Sequence, residues 1–207
     1  MRSMVAAVMA ATALVGAAAL AATQQSRSND TLERAFAANG RIRMDLSAGE
    51  YRIRGTGDNR ILLRWSTRYP EQLAKVRARA DVRDADAKVF LDGPTNHFKV
   101  EIDVPNRADL HVRLTAGELR IDNIEGNKDV ELHAGDLRID VGRPEDYRHV
   151  DAGVWAGEIH AAPYGVSKEG LFRSFDWNGK GQYRLHAHLK AGELRLNAKS
   201  ATPGESR

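Results

Sequence analysis

Two histidines, His186 and His188, stand one residue apart, and on a β-strand that spacing puts both imidazoles on one face. It is a legitimate spacing for two ligands of one metal ion. Aligned on the nearest following Ala-Gly pair, His186 falls in the same column as Asp129 and Asp151, and His188 in the same column as Glu131. If such segments stack in register, imidazoles and carboxylates gather on one outer face. Two histidines are little to build on, and an ordinary solvated strand face explains them as well. No metal and no cofactor is therefore assigned, and His186 and His188 stand only as weak metal-ligand candidates.

A second set is acidic. Glu50, Glu118, Asp136, Glu158 and Glu193 each follow a glycine, and Arg52, Arg120, Arg138, His160 and Arg195 come two residues later. Stacked, these become a carboxylate column beside a mostly guanidinium column. A cation or glycan ladder is one reading. Mutual neutralisation is the preferred one, because like charges a strand spacing apart repel and an opposite column relieves them. The third set is aromatic. Trp155 occupies a position held elsewhere by Ser47, Thr115, His133 and Lys190, so it should point outward. Phe172, Phe175, Trp177 and Tyr183 follow in a long insertion. Trp155, Phe172, Phe175 and Trp177 form a candidate interaction surface for a sugar or a protein; the competing expectation is that the insertion folds back and buries Trp155.

Enzyme signatures are missing. There is no G-x-S-x-G elbow, no H-E-x-x-H and no phosphate-binding glycine loop, and no catalytic residue is assigned. With no cysteine there is no thiolate chemistry and no disulfide. The charge of +3 does not indicate a nucleic-acid partner, because basic and acidic residues alternate, as in Lys99-Val100-Glu101, instead of forming a one-signed stripe.

The elements that must carry these side chains are strands. Phe98, Val100, Ile102 and Val104 alternate with charged residues up to Pro105, and Val112, Leu114 and Ala116 alternate with Arg113 and Thr115. Val76 to Val82 and Lys88 to Leu91 predict a hairpin, and Ile61 to Ser66 a further strand. Thr31 to Ala37 and Pro70 to Lys75 predict short helical turns. One pattern recurs five times: LSAGEYRI, LTAGELRI, LHAGDLRI, VWAGEIHA and LKAGELRL, centred on Gly49, Gly117, Gly135, Gly157 and Gly192. Inward residues before and after each glycine are separated by an odd step, so a straight strand would turn its second half outward. A corner at the glycine keeps both halves on one core. Bent strands stacked on copies of themselves predict an all-β, β-solenoid-like or β-helix-like chain with a more irregular antiparallel N-terminal part; a β-sandwich is the alternative.

The N-terminus reads as an address. Arg2, an apolar run from Val5 to Ala22 and the small-x-small Ala19-Leu20-Ala21 have the order of a secretory signal peptide, an uncleaved anchor being the rival. The expected organisation is a signal peptide over 1–22, a flexible leader over 23–31, one all-β domain over 32–198 and a flexible tail over 199–207.

The run LERAFAANGRIRMDLSAGEYRI, the strand VEIDVP, the stretch LHVRLTAGELRIDNIEGNKDVELHAGDLRI and the late GKGQYRLHAHLKAGELRL together resemble an exported bacterial family of unknown function labelled "putative adhesin". The resemblance spans roughly Thr31 to Asn197. It implies solenoid-like repeats with glycine corners and carries no catalytic or ligand residues. Its more usual corner is Ser-Gly-Asp, where this chain has Ala-Gly-acidic. The resulting expectation is a non-catalytic, exported module, periplasmic or at the cell surface, binding an unidentified envelope component, glycan or protein. A carbohydrate-active enzyme on a β-helix scaffold and a periplasmic accessory or sensor domain are the alternatives.

Overall fold

The structure, a computed structural model, describes residues 30–198. The signal segment, nearly all of the leader and the tail lie outside the described residues. Within them the chain is all-β, twelve strands in one open mixed sheet.

The middle of the sheet is made of long strands bent at a glycine. Strands β8 (Ala108–Asp122), β9 (Lys128–Gly142), β10 (Tyr147–Ala161) and β12 (Tyr183–Ala198) each run through the corner without interruption. Residues before the glycine form a first arm and those after it a second. Both arms face one core: Val112 and Leu114 of the first and Leu119 and Ile121 of the second are buried. β2 (Gly40–Leu46) and β3 (Gly49–Thr56) make an equivalent pair of arms with a break between them, and so do β6 (Asp86–Asp92) and β7 (Phe98–Pro105). These rungs pair in parallel, with Gly49 opposite Gly117, Gly117 opposite Gly135, Gly135 opposite Gly192 and Gly192 opposite Gly157.

The glycines are required by this stacking. Gly117 and Gly135 have φ of +117° and +126°, a region that side chains rarely enter. A Cβ on Gly135 would lie 1.9 Å from the carbonyl oxygen of Gly117 in the next rung. Each corner therefore depends on its neighbour having no side chain. A straight fifteen-residue strand would be about 46 Å long, yet only residues 123–127 join β8 to β9. The bend is what brings the two ends of a rung within reach of so short a link. The links themselves stack, with the Glu125 N–H donating to the Asn106 carbonyl at 2.7 Å.

The rungs do not follow one another in chain order. β9 pairs with β12, and β12 with β10, so the last strand fills the space between two earlier ones. β11 (Val166–Asn178) runs antiparallel along the far side of β10. A similar course is taken at the other end. β4 (Arg60–Thr67) and β5 (Arg77–Arg83) run antiparallel to β7 and β6, and β6 and β7 lie between them and the rung of β2 and β3. β5 and β6 are the hairpin expected over residues 76–91. Residues 70–75 form the expected helical turn, of 3-10 type. Thr31 to Ala37 is not helical: Thr31–Ala35 is β1, antiparallel to β4, because pairing with the β4 edge and burial of Leu32 and Phe36 outweigh local preference.

Candidate functional site

The outward residues of the first arms form rows that cross the sheet, and near the C-terminal end these rows change character. One row reads His111, Asp129, His186, Asp151 and Asp176 across β8, β9, β12, β10 and β11. The next reads Arg113, Glu131, His188, Gly153 and Ser174. A third carries Thr115, His133, Lys190 and Trp155. Gly153 is the one position in its row without a side chain. It leaves an open cleft of about 550 Å³ walled by Trp155, Phe172, Arg173, His188 and Lys190.

Trp155 is 56 % exposed and Phe172 73 % exposed, with ring centroids 6.0 Å apart. The outward direction read from the motif is what the structure shows, but the insertion does not bury Trp155. It runs as the edge strand β11 and presents Phe172 beside it. Phe172 has a φ of +52°, a strained conformation for a bulky side chain that costs on the order of 1–3 kcal/mol. The other two members of the expected surface behave differently. Phe175 is only 7 % exposed and Trp177 is half-buried; both pack at a tilt against Tyr164, with centroids 6.0 and 5.1 Å away. Phe175 is therefore corrected from interaction surface to core. The register explains the split, since Phe175 sits opposite inward Ala152 and Trp177 opposite Val150, whereas Phe172 falls beside outward Trp155.

His186 and His188 do meet an acid. The rings stack with centroids 4.2 Å apart, and His186 Nδ1 and His188 Nε2 lie 2.8 and 3.1 Å from the same Asp151 oxygen. Asp129 is engaged by His111 Nδ1 at 2.8 Å, and Glu131 pairs with Arg113 at 3.4 Å.

The charged columns on the second arms are in register, and four of the five motif carboxylates meet a basic side chain. Glu50 meets Lys99 at 2.8 Å, Glu118 meets Arg138 at 3.7 Å and Glu158 meets His160 at 3.0 Å, while Glu193 accepts from Arg195. Asp122 holds both Arg52 and Arg120. Mutual neutralisation accounts for them.

One residue escaped the reading by motif. Lys128 occupies an inward column otherwise filled by Ile42, Leu110, Leu185 and Val150, and it is 1 % exposed. Its ammonium donates to the Tyr147 hydroxyl at 2.6 Å and to the Gly126 carbonyl at 3.3 Å. Burial pushes it down to about 7, against the opposing pull of Asp140, Asp109, Glu125 and Asp146. The same burial pushes the Tyr147 hydroxyl well above its ordinary value. The signal was present in the sequence: one charge in an apolar column.

No family model and no curated protein matches this chain. Solved structures do. A putative cell adhesion protein from Clostridium sporogenes ATCC 15579 aligns over 82 % of this chain and 99 % of its own, with a TM-score of 0.53 and 14 % identity. A putative adhesin from Bacteroides fragilis NCTC 9343 aligns over 81 % and 96 %, at 11 % identity and a TM-score of 0.29. The resemblance read from the sequence is matched by the first of these, a bacterial protein bearing a cell-adhesion name, and at 14 % identity that likeness is one of fold. Among the described residues no helix is long and apolar enough to cross a membrane.

Proposed function

We propose that this chain is a non-catalytic interaction module of the cell envelope, exported behind its N-terminal apolar segment, in which a short solenoid presents a glycan-binding cleft. The carrying observation is the exposed pair Trp155 and Phe172, held together at the cost of a strained Phe172 backbone. Two exposed rings over an open cleft offer apolar faces for the C–H sides of sugar rings, and Arg173, Lys190 and His188 on the rim supply donors to hydroxyls. Strain maintained at a surface, where no core packing repays it, marks a position kept for contact.

The cleft does not favour glycoside cleavage. That chemistry needs two facing carboxyl groups, and Glu131 is the one acidic residue among those lining it, already paired with Arg113. The test is titration of the protein with envelope polysaccharide fragments, read by tryptophan fluorescence and by a glycan array. Binding lost in Trp155→Ala and in Phe172→Ala supports the reading. No glycan binding, or binding that survives both substitutions, overturns it; turnover of a bound glycan overturns the non-catalytic part.

A further inference from the structure

The row that carries His186, with the row beside it, brings two imidazoles to one carboxylate where β12 meets β10. Two stacked imidazoles from neighbouring positions of β12 aim a ring nitrogen at one oxygen of Asp151 on β10. One ligand atom from each of the three residues lies within 4.8 Å of the others. The separations from the shared oxygen, 2.8 and 3.1 Å, approach the edge of about 3.3 Å of a tetrahedron with metal bonds of 2.0–2.1 Å. Gly153 makes this convergence sterically available. A Cβ there would sit 3.0 Å from His188 Cε1, so any side chain at 153 would crowd the ring where it leans toward Asp151.

We infer that Asp151, His186 and His188 form a binding site for a divalent transition-metal ion of the zinc class. Two imidazoles and one carboxylate suit zinc, nickel or copper(II) and are poor for calcium or magnesium, which take oxygen donors. Three protein ligands leave a fourth position open, the arrangement of metal sites that also hold an exchangeable ligand. That position is reached from the cleft, which both histidines line. The ion takes the place of the contacts between the two ring nitrogens and the carboxylate oxygen. All three side chains are partly exposed, between 28 and 45 %, so the ion has a path in.

Two comparable groups do not meet these conditions. His111 and Asp129 offer one imidazole. Glu158, His160 and Glu193 lie equally close, but Arg195 already engages Glu193 and they offer one imidazole. The inference stands apart from the glycan reading, because the probe is the metal alone.

The experiment is titration of the full chain, expressed without a histidine tag, with zinc chloride, followed by calorimetry and by the imidazole NMR resonances of its seven histidines. One equivalent should bind below about 0.1 mM, shifting the two resonances that His186→Gln and His188→Gln remove. The double variant should lose affinity by about 100-fold or more, Asp151→Asn should weaken it, and His111→Gln should leave it unchanged. The substituted side chains are only partly buried, and circular dichroism of each variant verifies the fold. Absence of saturable binding by the unaltered chain overturns the inference, as does zinc binding that the double variant retains or that depends on His111 instead.

Discussion

Replacing Lys128 with methionine should stabilise the protein near neutral pH and do so less as pH rises. The unfolded chain holds the Lys128 proton up to about 10.5, and the folded chain only up to about 7. Between those values the unfolded state binds more protons, so stability rises with pH. The penalty is fully present below pH 7 and is relieved on the way to 10.5. At about 1.4 kcal/mol per tenfold change in proton affinity, the buried ammonium costs about 4 kcal/mol at pH 7 and about 2 kcal/mol at pH 9.

Methionine keeps the apolar stem but loses the bonds to the Tyr147 hydroxyl and the Gly126 carbonyl. Leaving those groups unpaired costs about 1–3 kcal/mol. The net gain of Lys128→Met is then about 1–3 kcal/mol at pH 7 and about nothing at pH 9. The difference between the two pH values, about 2 kcal/mol, does not depend on the hydrogen-bond term. It is measured by urea unfolding of both proteins at each pH, where it amounts to about 1 M in midpoint. Tyrosine ionisation does not intrude, since burial pushes Tyr51 up to about 12 and Tyr147 higher still. A stability difference unchanged from pH 7 to 9, or a variant markedly weaker at pH 7, refutes the reasoning: Lys128 would then be a well-solvated charge or an indispensable hydrogen-bond donor.

Gly135→Ala should cost about 3 kcal/mol or more in thermal unfolding, since its Cβ meets the Gly117 carbonyl and its φ is +126°. Gly49→Ala should cost far less, about 1 kcal/mol, because its nearest contacts lie at 3.0–3.2 Å and its φ is not left-handed. Acrylamide should quench mainly Trp155, because Trp65 is buried and Trp177 half-buried; Trp155→Phe should remove the quenchable emission without altering the melt. Asp103 is nearly buried and receives Arg54 at 2.9 Å and Arg64 at 2.8 Å, so Asp103→Ala should destabilise by about 1–3 kcal/mol in urea, and Asp103→Asn by less.

The corner was legible because glycine and parity speak together. An odd step between Ala116 and Leu119 leaves a straight strand no way to bury both Leu114 and Leu119, and glycine is the residue that permits the turn. The paired charges were legible for a similar reason: Glu118 and Arg120 have fixed places relative to Gly117, and register carries those places across the sheet. The order of the rungs was not legible. Leu132, Leu189 and Val154 fit one another's neighbourhoods equally well, so nothing local says that β12 separates β9 from β10. That choice is made by long-range closure, which a motif repeated in every rung does not encode. Thr31 to Ala35 failed for the related reason that pairing with β4 is a tertiary event.

A repeated motif supplies an internal standard for each of its columns, and departures from a column are more informative than the motif itself. Lys128 departs from a column of Leu, Ile and Val, and the departure appears as a lysine whose proton affinity burial has lowered. Gly153 departs from a column of Arg113, Glu131 and His188, and the departure appears as a cleft with room for the His188 ring. Trp155 departs from small and polar neighbours, and the departure appears as an exposed aromatic that a strained Phe172 meets. The last two lie on the same outer face, within one rung of Asp151, His186 and His188. Stacking explains the repeated geometry of the corner, but it places no demand on these outward positions. Their convergence at one end of the sheet is therefore the strongest reason to look for binding there and not along the charged columns, where Glu50, Glu118 and Glu193 already meet a lysine or an arginine.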